Sequence, residues 1–218
     1  YEILHSIRLP QGQGRIFQHT TSYPQRTSGF FVVRPTGGAR VLTSADLSTS
    51  APYLPEVGLS PDGTVLAVAR KYGHHTGAGG VFLLRTNGKK FSTGSTLCDI
   101  TPATPKIASL RTESFTFAGK HLYYSATAVN KRDHIFRAPL DCSARAARVS
   151  LPWVEAKRAV YLAPRLGLSR DRKKVLLMAG SSPARVDVLL LDDATGVVVN
   201  ISSAAARYRP PGTMPPLY

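Results

Sequence analysis

Glu56-Val57-Gly58-Leu59-Ser60-Pro61-Asp62-Gly63-Thr64-Val65-Leu66-Ala67-Val68-Ala69 reads as a short strand, a tight turn and a second strand. Proline presets φ at the second turn position, the aspartate side chain accepts a local backbone N–H, and glycine permits the tight exit. Asp62 is therefore a turn-maker rather than a catalytic acid. A third run, Val81-Phe82-Leu83-Leu84, and a fourth, Thr96-Leu97-Cys98, complete a unit.

The same set recurs along the chain. Runs like Val65 to Ala69 begin at Ile16, Val65, Leu122 and Val175, separated by 49, 57 and 53 residues. The runs that follow begin at Phe30, Val81, His134 and Val186, separated by 51, 53 and 52. Each unit closes on a short run (Arg40-Val41-Leu42, Thr96-Leu97-Cys98, Arg148-Val149-Ser150, Val197-Val198-Val199) and is preceded by another (Ile3 to Leu9, Glu56 to Leu59, Glu113 to Phe117, Arg165 to Leu168). Four strands per unit, repeated four times at about 52 residues, predict an all-β protein, a β-propeller with about four four-stranded blades in this chain. The blades fall near 1–45, 54–102, 111–151 and 163–203. Residues 204–218, with Pro210, Pro211, Pro215 and Pro216, cannot make a ladder strand and read as an extended tail.

Two of the units carry a family resemblance. Leu59-Ser60-Pro61-Asp62-Gly63-Thr64-Val65-Leu66-Ala67, with Val81 to Leu84 and Asp99-Ile100-Thr101, resembles the PD40 (WD40-like) repeat of TolB-type β-propellers. Leu168-Ser169-Arg170-Asp171 through Leu189-Leu190-Leu191-Asp192-Asp193-Ala194-Thr195-Gly196 to Asn200-Ile201-Ser202 is similar to it. The resemblance implies a fold used by binding proteins and by the regulatory domains of some peptidases, and a periplasmic or cell-surface setting. Such propellers usually carry six or seven blades, so the chain is either a small four-bladed ring or part of a larger one. A first residue other than Met points the same way, to a processed product or a piece of something longer.

Composition fits this fold. Across 218 residues, 18 Gly and 16 Pro supply many turns, while 43% hydrophobic residues supply a core and exclude a disordered chain. No apolar run reaches the ~20 residues that a membrane-spanning helix needs, which implies a soluble chain. Lys and Arg number 28 against 13 Asp and Glu, a net charge of +15. The first 100 residues carry 10 basic and 5 acidic groups and the rest 18 and 8, so the C-terminal part is the more basic. That field favours an anionic partner, although it also serves plain solubility. Cys98 and Cys142 offer no zinc spacing, and with Cys98 placed late in a fourth strand and Cys142 in a turn of the next blade they are expected to remain unpaired thiols.

No catalytic constellation is visible, and no metal or cofactor site. His74-His75 lies in a glycine-rich loop without a third ligand, and that loop lacks the Gly-Lys-Ser/Thr ending that cradles phosphate. Asp192-Asp193 is explained as a turn with side-chain-to-backbone bonds, and His5, His19, His121 and His134 as strand residues. Asn200-Ile201-Ser202 is a formal glycosylation sequon within a strand. The positional pattern is more informative. Loops joining second to third strands open on one face of a propeller, and here they carry Arg26, Lys71, Lys131, Arg132 and Arg185, with Tyr23 and Tyr72 in two of them. These seven residues are the expected partner-binding set, as a cationic rim with aromatics able to stack. Arg170, Arg172, Lys173 and Lys174 form a denser run on the opposite face.

The sequence thus points to a non-enzymatic binding or assembly module that contacts a protein partner through its loop faces, its basic surface favouring an acidic one. Two other readings stand beside it. One is the propeller domain of a larger hydrolase or peptidase. The other is a basic subunit of a nucleoprotein assembly, gripping phosphates without reading sequence.

Overall fold

The computed structural model describes residues 2–8, 14–20, 28–33, 35–37, 39–43, 56–70, 80–85, 97–110, 115–130, 132–151, 161–162, 167–182 and 185–202. Its regular elements are strands in four antiparallel sheets, and the fold is a β-propeller architecture. Among the described residues no helix is long and apolar enough to cross a membrane.

The first blade is β1 (Glu2–Arg8), β2 (Arg15–Thr20), β3 (Ser28–Val33) and β4 (Ala39–Thr43), paired in sequence order. The second is β5 (Glu56–Leu59), β6 (Val65–Arg70), β7 (Gly80–Arg85) and β8 (Leu97–Asp99). In the third blade β9 (Ile107–Leu110) and β10 (Thr116–Ala118) share one partner, β11 (His121–Ala128), which continues to β12 (Asp133–Pro139) and β13 (Ala147–Arg148). The fourth repeats that device, with β14 (Tyr161–Leu162) and β15 (Gly167–Leu168) both on β16 (Lys174–Ser182), followed by β17 (Arg185–Asp192) and β18 (Val198–Asn200). The split first strand has a simple cause: β11 and β16, at 8 and 9 residues, are longer than the 3- and 2-residue strands beside their first halves, which leaves their second halves a free ladder.

Turn chemistry fixes the register. Ser60 N donates to Val65 O at 2.8 Å and Gly63 N to Ser60 O at 2.8 Å, while Asp62 Oδ1 accepts from the Ser60 hydroxyl at 2.6 Å and from Thr64 N at 3.0 Å. Blade four reproduces this bond for bond. Ser169 N donates to Lys174 O at 2.9 Å, Arg172 N to Ser169 O at 2.9 Å, and the Ser169 hydroxyl to Asp171 Oδ1 at 2.6 Å. The turns therefore match Ser60 with Ser169, Gly63 with Arg172 and Val65 with Lys174. That is one residue out of step with the spacing of apolar runs, which aligned Val65 with Val175. Because side chains alternate across a strand, one residue exchanges the two faces.

Gly63 and Arg172 share a left-handed backbone, at φ 72° and 56°. An L side chain other than Gly or Asn strains there by about 1 kcal/mol. Arg172→Gly is accordingly expected to raise stability by about 0.5 kcal/mol, and Arg172→Val, with its branched Cβ, to lower it by about 1–2 kcal/mol. Urea midpoints of the two variants check this; a loss in both would mean that the arginine side chain, not the backbone, holds the turn.

The core lies between blades. One cluster joins Val65, Ala67, Ala69, Val81 and Leu83 of blade two to Leu122, Tyr124, Ala126 and Phe136 of blade three. The Tyr124 and Phe136 rings stack at 5.4 Å. A second cluster joins Tyr123 and Ile135, on the other face of blade three, to Val175, Leu177, Leu189 and Leu191 of blade four. On the far side of blade two Leu66, Val68 and Leu84 are fully buried.

The cysteines correct an expectation. Cys98 and Cys142 form a disulfide, with Cα atoms 6.3 Å apart and a separation of 44 in sequence. Cys98 is the middle residue of β8, close to the end at which third strands turn into fourth strands, and Cys142 lies in the matching turn of the next blade. The two heights agree rather than differ. Leu140 and Cys142 pack with Cys98 against the same core, and Ala146 N donates to Ile100 O at 3.0 Å, drawing the turn over β8.

Candidate functional site

Of the seven rim residues, Tyr23, Arg26, Lys71, Tyr72 and Lys131 lie outside the described residues. Arg132 is exposed at the β11–β12 turn, where its N–H donates to Asn130 Oδ1 at 3.1 Å and its carbonyl accepts from Ala128 N at 2.8 Å. The cation is thus carried on a backbone braced from both sides. Arg185 is the first residue of β17, paired with Ser182, rather than a loop residue as expected. The up-and-down strand order of each blade puts its second-to-third connection at one end. On the opposite end, Arg170, Arg172 and Lys173 are exposed in the β15–β16 turn, while Lys174 opens β16 and reaches Asp192 at 3.7 Å.

The most developed polar group lies at the seam between blades three and four, and it overturns half of the Asp192-Asp193 reading. Asp192 is a turn residue: its Oδ1 accepts from Ala194 N at 3.1 Å and from Thr195 N at 3.0 Å. The Thr195 amide and hydroxyl hold its carboxyl below the usual range. Asp193 instead points inward and is buried. Its Oδ1 accepts from the Tyr123 hydroxyl at 2.6 Å and lies 2.8 Å from His121 Nδ1. Arg137 Nη2 donates to the Asp193 carbonyl at 2.7 Å and sits 3.1 Å from His121 Nδ1. One nitrogen cannot both donate and accept, and a carboxylate only accepts, so the shorter contact assigns the proton to Nδ1. Gly119, at φ 52°, completes the socket, since a Cβ there would run into the Asp193 carboxylate.

A close reading of β17 contains the signal for Asp193. Leu189 and Leu191 face blade three, and a period of two carries that face on to residue 193. Likewise His121 and Tyr123 share one face of β11, and Arg137 is the cross-strand partner of Tyr123. Chemically the arrangement is a clamp: three side chains of blade three, His121, Tyr123 and Arg137, converge on Asp193 of blade four. Among the described residues no group of His, Cys, Asp or Glu is arranged to hold a metal ion.

Stacked antiparallel sheets of four or five strands with apolar seams define a β-propeller, and the two solved structures with TM-scores of 0.58 and 0.59 agree. A protein assigned as a dipeptidyl aminopeptidase IV of Bacteroides ovatus matches 88% of this chain with a TM-score of 0.58 at 11% identity. Prolyl oligopeptidase B of Galerina marginata matches 91% with a TM-score of 0.59 at 9% identity. A protein assigned as TolB of Agrobacterium tumefaciens matches 88% with a TM-score of 0.48 at 16% identity. The chain spans 32%, 27% and 62% of those three chains respectively. At these identities the likeness concerns the fold alone. No protein-family model matches the sequence, and no curated protein does.

Proposed function

We propose that the chain is a propeller segment that serves as a non-catalytic binding module, its second-to-third loops presenting cations to an acidic protein partner. The observation that carries this reading is a net charge of +15 on a fold that gathers one class of loop at one end, with the exposed Arg132 in one such loop. Rim cations act mainly by steering encounter. The disulfide and the TolB-type repeat motif support an oxidising compartment, the periplasm or cell surface.

The test uses immobilised poly-L-glutamate as an acidic polypeptide and a short duplex DNA as the competing anion. Reversing Lys131 and Arg132 to Glu is expected to slow association with poly-L-glutamate about threefold to tenfold, less at higher salt, while Arg170→Glu with Lys173→Glu has little effect. Equal losses would leave only net charge. Tighter binding to DNA with a steep salt slope would favour the nucleoprotein reading.

A second reading, the propeller domain of a larger peptidase, is favoured by the likeness to the two peptidases with TM-scores of 0.58 and 0.59, of which this chain spans about a third or less. A Gly-x-Ser-x-Gly domain in the complete reading frame, active on short peptides, would decide for it.

A further inference from the structure

A lone exposed valine needs no explanation on a protein surface. Val129 differs in position, support and neighbours. It is 65% exposed, and among the described residues every other exposed large apolar side chain lies in blade four. It stands at the tip of the β11–β12 connection, where turn chemistry favours Gly, Asn, Asp or Ser over a β-branched side chain. Its backbone is held from several sides. Val129 N donates to Lys106 O at 3.0 Å, Ala128 N to Arg132 O at 2.8 Å and Arg132 N to Asn130 Oδ1 at 3.1 Å, while the Thr127 hydroxyl donates to Asp133 Oδ1 at 2.7 Å.

Lys106 brings a cation that the second-to-third loops do not supply. It ends the link from blade two, and because Ile107 pairs with Ala128 that link arrives at the same end of the blade as the β11–β12 tip. Lys106 and Arg132 are both exposed, and no carboxylate among the described residues pairs with either. A branched apolar side chain is therefore flanked by two cations on a backbone that is already fixed.

We infer that the β11–β12 tip, with Val129 flanked by Lys106 and Arg132, is a preformed anchor for a partner polypeptide segment in which an apolar side chain is set among acidic ones. This deepens the binding reading above and rests on it. The two kinds of group act on different steps. The cations draw the acidic residues in and set the encounter rate, whereas removal of the valine from water sets how long the partner stays. Since hydrogen bonds already hold the tip, little ordering is lost on contact. A polyanion without apolar groups leaves the valine unused, and an apolar surface without acids leaves two cations beside it unpaired.

Two immobilised peptides test this, a repeat of Glu-Glu-Leu-Glu-Glu and the same repeat with Ser in place of Leu. The chain is expected to leave the Leu peptide about fivefold to tenfold more slowly than the Ser peptide. Val129→Ser should erase that difference with association to both peptides unchanged. Lys106→Glu should slow association with both about threefold, less at higher salt. Both positions are exposed, so the urea midpoints of these variants should match that of the unaltered chain, which keeps folding out of the comparison. Equal dissociation from the two peptides, or a preference for Leu that survives Val129→Ser, would overturn the anchor and leave the charge reading standing. Failure to bind either peptide would remove both together. Capture by phosphatidylserine vesicles that Val129→Ser abolishes, without a preference between the peptides, would assign the tip to a membrane surface and overturn the anchor as well.

Discussion

Asp193→Ala is expected to lower the stability of the chain by about 3 kcal/mol, because one buried carboxylate satisfies two donors from β11 of the neighbouring blade. The buried Tyr123 hydroxyl and the His121 Nδ1–H lose their acceptor together, and the Arg137 guanidinium loses its nearest carboxylate, 3.9 Å away. Tyr123→Phe removes a single donor and leaves Asp193 with His121, so a loss of about 1 kcal/mol is expected from it. The double variant should lose less than the sum, since the two side chains share a bond. Urea unfolding of the four proteins closes the cycle, and strict additivity would show that the clamp does not act as a unit. The clamp also has an alkaline limit. Burial first, then the bond to Asp193, pushes the Tyr123 hydroxyl well above its ordinary value near 10.0. The unfolded chain therefore ionises first, so this stabilisation is complete below pH ~10 and fades as pH rises toward the folded value. Asp193→Ala should flatten that part of the pH profile.

Much of this architecture was legible in the spacing of short apolar runs. Strand order, blade count and the Ser60-Pro61-Asp62-Gly63 turn follow from local rules: a period of two, proline's fixed φ and the capacity of Asp to accept from its own turn. What the spacing does not carry is which face of each strand meets which neighbour. Val65 and Val175 look like equivalent starts, yet the turns place Val65 with Lys174, so that Ala67 corresponds to the open Leu176 and not to the buried Leu177. Asp193 was missed for a related reason. Beside Asp192 it looks like half of a turn, and only the alternation from Leu189 and Leu191 sends it inward. The rim is legible as a charge pattern alone. Arg132 takes its expected place, whereas Arg185 belongs to a strand, because β16 and β17 pair as far as Ser182 and leave almost no loop.

Breaking the Cys98–Cys142 bond is expected to cost about 2–4 kcal/mol. The cross-link joins residues 44 apart, and closing a loop of that length in the unfolded chain corresponds to about 4 kcal/mol in the chain-entropy account, an upper value because unfolded chains keep some structure. The location adds to this, since the bond ties the outermost strand of blade two to a turn of blade three. The Arg145–Asp99 pair nearby, 3.6 Å apart and mostly in solvent, contributes little beside it. The cost should therefore come from the bond and not from its polar surroundings. Cys98→Ser with Cys142→Ser, and the unaltered protein under a phosphine reductant, should unfold at the same reduced urea concentration; the double variant should then be indifferent to reductant. Arg145→Ala should shift the midpoint by less than about a quarter as much. A reductant without effect on the unaltered protein, or two free thiols by titration of the unfolded chain, would return the cysteines to the unpaired state that strand position alone suggested.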